Sequence, residues 1–175
     1  MCTDKTACFF GHRKITITEA LKDRAYKEIE NLIQDFGIEI FLFGSKSQFD
    51  DLCHEIVSAL KNKYPYIQRV YVRAEFPYMN ERYRAYLLSQ YEDTYYPERI
   101  IDAGKASYVE RNHEMIDKSS VCVVYYDKNY LPPRRKQNKR DLKDYQPASG
   151  TGVAYAYAEK KKKRIINFAG FNINT

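Results

Sequence analysis

Short apolar runs that alternate with segments of helical spacing constrain this chain more than any other feature. The runs are Thr6–Phe10 (TACFF), Ile38–Phe43 (IEIFLF), Gln68–Arg73 (QRVYVR), Ser120–Tyr126 (SVCVVYY) and Arg164–Phe168 (RIINF). Short runs rich in Val, Ile, Phe and Tyr read as buried strands. Between them, Thr18–Phe36 places Leu21, Ala25, Ile29, Leu32 and Ile33 on one helical face. Thr18 is a natural N-cap there and Gly37 a natural stop. Phe49–Lys63 turns Leu52, Ile56, Val57 and Leu60 inward, and Tyr108–Lys118 and Gly152–Lys161 supply two further helices. The middle, Ala74–Ala106, is rich in Tyr and charge; Glu81–Tyr91 reads as its one helix and the rest as loop. Strands alternating with helices predict an α/β chain with a mostly parallel sheet of about five strands and helices on both faces. No internal repeat or linker divides it, so one domain over 1–175 is expected.

Composition narrows the class. With 44% apolar and 30% charged residues among 175, the chain can bury one core. No apolar run is long enough to span a membrane. The opening MCTDKTACFFGHRK has an early acid and a very short apolar stretch, so it does not read as a signal peptide, and a cytoplasmic location is expected. Cys2, Cys8, Cys53 and Cys122 show neither a CxxC pair nor metal spacing, so buried reduced thiols are expected and no metal site. The net charge of +6 favours anionic partners. Much of the excess lies in Arg134–Lys143 and in the run Lys160–Arg164. Cations at the end of a helix oppose its negative pole, which accounts structurally for the second group.

The strand ends carry the chemistry. In open α/β sheets, ligands bind outside the carboxyl ends of the strands. Here those ends hold Gly11-His12-Arg13, Gly44-Ser45-Lys46, Arg73 and the turn Ser149-Gly150-Thr151-Gly152. An Arg binds phosphate bidentately and a His donates or shuttles a proton. Glycines at a helix start let backbone amides approach an anion, with Ser149 and Thr151 adding hydroxyls. Ala154, Ala156 and Ala158 would let that helix pack close to the sheet. The turn is neither a Walker A loop nor a GxGxxG fingerprint. Arg111 and Asn112 open another helix, where Glu110 and Glu114 are the competing partners of Arg111. Any of the 17 Tyr could stack a base, although Tyr also serves half-buried surfaces.

Taken together, FFGHR, YVERNHEMIDKSSVCVVYYD and SGTGVAYAYAEKKKKRIINF resemble the YpsA-like branch of the SLOG superfamily, which contains the LOG phosphoribohydrolases and the DprA/Smf proteins. The resemblance spans residues 6–168. It implies a Rossmann-like three-layer α/β/α sandwich, a homo-oligomer, and a nucleotide or nucleotide-derived ligand at the carboxyl edge. Gly11 and Arg13 would match its first loop, Arg111 and Asn112 its RN pair, and Ser149–Gly152 its phosphate turn. Asp50 would keep an acidic position suited to a ribose hydroxyl.

The sequence also departs from that pattern. LOG enzymes carry a Glu where this chain has Ala154, and the second loop has Gln48 where a Gly is expected. Alanine can neither stabilise an oxocarbenium-like centre nor activate water. Binding or sensing of a nucleotide-derived ligand, with no cofactor, is therefore the favoured expectation. A nucleotide N-glycosidase using Asp50, Glu110 or Glu114 is the alternative. Single-stranded nucleic acid on Arg134–Lys143 is the less favoured partner, because Asp141 interrupts that loop.

Overall fold

The computed structural model describes residues 3–44, 46–132 and 149–170. Six strands form one parallel sheet: β1 (Thr6–Gly11), β2 (Ile40–Phe43), β3 (Gln68–Val72), β4 (Asp93–Tyr95), β5 (Val121–Tyr125) and β6 (Arg164–Asn167). Their spatial order is β4-β3-β2-β1-β5-β6. Five helices accompany them: α1 (Glu19–Gln34), α2 (Gln48–Lys63), α3 (Glu81–Leu88), α4 (Ser107–Asp117) and α5 (Gly150–Lys160). The architecture is the Rossmann-like α/β/α sandwich that the strand and helix alternation predicts.

Alternation along the strands builds the three layers. In β1, buried along its whole length, Ala7 and Phe9 face one side while Cys8 and Phe10 face the other. Phe9, Phe41 and Phe43 meet Ala25, Ile29 and Leu32 of α1 and Phe49, Val57 and Leu60 of α2. On the opposite face, Phe10, Leu42, Val70 and Val124 meet Met115 and Ile116 of α4 and Ala154 and Ala158 of α5. Each fully buried Phe or Leu contributes roughly 1.5–3 kcal/mol. Ala154 and Ala158 do let α5 lie close to the sheet, but Ala156 is exposed: successive alternate residues on a helix do not share a face.

Four helix starts carry a side-chain cap. Thr18, Ser47, Asn80 and Ser149 accept from the amides of Leu21, Asp50, Tyr83 and Gly152 respectively. Such a cap stabilises by about 1 kcal/mol. Gly37, at φ 63°, provides the left-handed turn after α1.

Two expectations are corrected in the middle of the chain. The sheet has a sixth strand, because Asp93–Tyr95 pairs with β3. Three mostly polar residues give no period to read; the strand is held by a bidentate Arg69–Glu92 contact (2.7 and 3.2 Å) and by the Arg73 amide on Tyr95 O. The helix from Glu81 ends at Leu88 rather than Tyr91, with only Leu87 buried.

Cys8, Cys53 and Cys122 are buried and free, as expected; Cys2 lies outside the described residues. Among the described residues, no helix is long and apolar enough to cross a membrane, and no cluster of His, Cys, Asp or Glu could hold a metal ion.

Candidate functional site

The strand order reverses at β1. The chain steps outward through β2, β3 and β4, then returns to place β5 on the other side of β1. Loops leaving β1 and β5 therefore diverge to opposite faces and open a crevice at their carboxyl ends. His12 closes the bottom of that crevice. It is only 3% exposed, and its Nε2 accepts the Asp127 amide at 2.9 Å. The same Nε2 lies 3.3 Å from Asp127 O, and Nδ1 is buried without a hydrogen-bond partner among the described residues. Burial pushes the His12 pKa below its ordinary value, opposed by Asp127. Its ring stacks on Tyr130 at 4.1 Å. Arg13, next in the chain, is exposed, and its carbonyl accepts the Gln48 amide.

The first turn of α5 faces the same crevice. Ser149 Oγ accepts from Gly152 N–H at 3.3 Å, so this hydroxyl serves as the helix cap. The amides of Gly150 and Thr151 are left without intrahelical partners. A Cβ at Gly150 would meet no described atom within 4 Å. At Gly152 a Cβ would lie 3.3 Å from the Tyr126 ring, which ties the turn to the end of β5. Neither glycine has a positive φ, and at Gly152 the close approach of Tyr126 rather than backbone conformation favours the missing side chain. Tyr126 and Tyr155 pack with centroids 4.7 Å apart, and with Asp127, Lys128 and Gly170 they border a cleft of about 350 Å³. Asn167 staples its floor: it donates to Tyr126 O at 2.9 Å and accepts from Tyr126 N–H at 3.0 Å.

Arg111 and Gly44 form a second group, over β2 and β3. Arg111 is 2% exposed; its Nη1 donates to the carbonyls of Gly44 and Val72, and its Nε to Asn112 Oδ1 at 3.0 Å. The guanidinium lies 5.7 Å from the Tyr108 ring centre. Burial depresses the Arg111 pKa, while Tyr71, Asp50 and Glu75 pull the other way. Gly44 is there because a Cβ would sit 2.7 Å from Arg111 Nη1. Gly11 has a similar reason: its Cβ would come within 2.6 Å of the Phe49 ring. Asp50 is buried in the first turn of α2, with Ser47 Oγ at 3.4 Å.

The structure thus brings His12 and the α5 turn to one crevice, with Arg13 exposed at the start of α2, and Gly44, Arg111, Asn112 and Asp50 to the neighbouring stretch of the same edge. Ser45 and the basic loop Arg134–Lys143 lie outside the described residues. The Lys160–Arg164 run stands at the opposite edge, where Lys163 donates to Asp117 O and Ser119 O and Lys161 pairs with Asp117. Glu110 and Glu114 are taken up by Arg99 and Lys118. Asp127 and Tyr126 are neighbours of the crevice that sequence reasoning does not name as site residues, and Gln48 is noted there only as a departure. Asp127 could have been found by applying the strand-end rule to Ser120–Tyr126. Gln48, in the place of a Gly, clamps the loop after β1 by accepting from Ile15 N–H at 2.9 Å.

Compared with protein-family models and with curated proteins, the sequence matches none of them.

Proposed function

We propose that this chain binds a nucleotide or nucleotide-derived ligand at the carboxyl edge of its sheet. The observation that carries the reading is the crevice at the strand-order reversal, where the start of α5, two of whose amides have no intrahelical partner, lies beside Tyr126 and a buried His12 whose Nδ1 has no hydrogen-bond partner among the described residues. Helix amides and the helix dipole favour a phosphate there, and exposed Arg13 adds a cation at the rim. Tyr126 and Tyr155 offer an aromatic wall for a base in the adjoining cleft. The resemblance to the YpsA-like branch of the SLOG superfamily points the same way.

Binding is favoured over N-glycoside hydrolysis by the surroundings of the carboxylates. Ala154, at the position of the LOG glutamate, is 1% exposed and belongs to the core under α5. Glu110 and Glu114 are held in ion pairs with Arg99.

A thermal-shift screen of nucleoside mono-, di- and triphosphates, ADP-ribose and cyclic nucleotides tests the reading. A selective rise in Tm that shrinks in Arg13→Ala is expected, since a bound ligand stabilises the folded state by mass action. A rise that Arg13→Ala and Ser149→Asp both leave intact would put the ligand elsewhere. Arg13 is the better probe than Arg111, whose truncation would also strip two strand-end carbonyls of their donor.

A further inference from the structure

The two most buried arginines of the described residues are the ones without an acidic partner. Arg69 and Arg99, with side chains 16% and 30% exposed, each pair with carboxylates. Arg73 and Arg111, 9% and 2% exposed, form no ion pair among the described residues. This inverts the usual rule that buried charges are the paired ones. Both stand at the carboxyl end of β3: Arg111 Nη1 lies 3.3 Å from the carbonyl of Val72, and Arg73 is the next residue.

Arg73 is also under-used. Its Nη1 touches the carbonyls of Phe76 and Pro77 at 3.1 and 3.4 Å, and its Nε is buried with no hydrogen-bond partner among the described residues. The guanidinium lies 5.6 Å from the Tyr96 ring centre. The carbonyls that hold Nη1 belong to a loop whose Phe76 and Tyr78 side chains are 69% and 81% exposed. The nearest acidic neighbour on this loop, Glu75, is paired with Lys46 at 3.3 Å.

We infer that the carboxyl end of β3 is an anion subsite, separate from the α5 turn, that takes a phosphate monoester group. Arg73 is its direct donor and Arg111 supplies the second positive charge. Two buried cations with no carboxylate at ion-pair distance among the described residues, and only Asp50 and Glu75 acting on Arg111 from further away, match a dianion better than a carboxylate, and charge-assisted bonds would replace the neutral carbonyl contacts of Nη1. The inference deepens the carboxyl-edge reading and rests on it: the ligand would carry phosphate at a point remote from the group held by α5.

The probe is inorganic phosphate against acetate at matched ionic strength, read by thermal shift and by calorimetry on the full chain. Phosphate is expected to raise Tm and acetate to do so far less. Arg73→Gln should weaken phosphate roughly ten- to hundred-fold, with Arg73→Lys between the two. Arg73→Gln should also leave the ligand-free Tm unchanged or higher, because it removes an uncompensated buried charge. A purely structural arginine would lower it. Ser149→Asp should leave intact the part of the phosphate response that Arg73→Gln removes, while reducing any nucleotide response. A phosphate response unchanged in both Arg73 variants overturns the subsite. If it is lost in Ser149→Asp instead, the subsite fails and the carboxyl-edge reading stands. A phosphate response lost in Arg73→Gln, with no nucleotide bound, upholds the subsite and removes the nucleotide.

Discussion

Arg111 occupies the space that a side chain on residue 44 would need. A Cβ at Gly44 would stand 2.7 Å from Nη1, 2.9 Å from Cδ and 2.9 Å from Cζ of that buried arginine. The arginine cannot retreat without giving up the carbonyls of Gly44 and Val72. Gly44→Ala should therefore destabilise the fold by about 1–3 kcal/mol, the usual cost of overpacking. Urea denaturation would show it as a lower midpoint at constant slope. In an Arg111→Ala background the same substitution should cost much less, because the two sites share one contact. Equal costs in both backgrounds would show that Gly44 is required for some other reason.

Stability should fall as the solution is acidified through the histidine range. Burial lowers the pKa of His12, His54 and His113 from 6.5, so each holds its proton less tightly when folded than when unfolded. The unfolded chain then binds more protons below that value, and stability rises with pH across this window. Neutral histidines stabilise fully above the unfolded value, and the advantage is lost as pH drops below it. Denaturation midpoints measured at about pH 7.5 and about pH 5.5 should differ in that direction. His12→Gln should flatten part of the slope. An unchanged slope would mean that His12 titrates alike in both states.

Lys162 holds a left-handed turn that glycine would hold better. Its φ is 53°, and the amides of Lys162 and Lys163 donate to Glu159 O and Ala158 O, which closes α5 with a Schellman motif. A side chain in this region costs roughly 1–2 kcal/mol. Lys162→Gly should accordingly raise Tm by a few degrees, about 2–4 °C per kcal/mol for a domain of this size. A fall in Tm would show that the Lys162 side chain contributes more than the strain it imposes.

The sequence is readable where burial is periodic and silent where polar groups decide. Strands β1, β2 and β5 announce themselves because both faces are covered, so Cys8, Phe9, Phe41, Leu42 and Val123 have to be apolar. Thr18 and Gly37 mark α1 because caps have a local chemistry. Strand β4 is hidden because its place depends on Glu92 reaching Arg69 across 23 residues. The strand-end rule finds His12, and the RN pair of the resemblance finds Arg111, yet neither says how they are used. Arg111 is spent largely on carbonyls, a role set by β2 and β3 converging beneath α4. Gly11 and Gly44 look like phosphate glycines in the sequence; in the fold they make room for Phe49 and Arg111.

Ser149 separates the helix cap from the phosphate cradle. Its hydroxyl already accepts from Gly152 N–H, so an Asp in its place would cap α5 as well and would suit the positive end of the helix dipole. Ser149→Asp should leave Tm unchanged or slightly higher. The same carboxylate would stand beside the amides of Gly150 and Thr151, where it would compete with any phosphate and repel it. Nucleotide affinity should drop at least about ten-fold, equivalent to roughly 1.4 kcal/mol. Ser149→Ala should do the reverse, costing about 1 kcal/mol of stability through the lost cap while sparing affinity. Calorimetric titration of both variants with the nucleotide selected by the screen would read the difference. If the two variants lose affinity alike, the hydroxyl itself contacts the ligand. If neither does, the first turn of α5 is not where the phosphate binds, whatever the helix dipole favours.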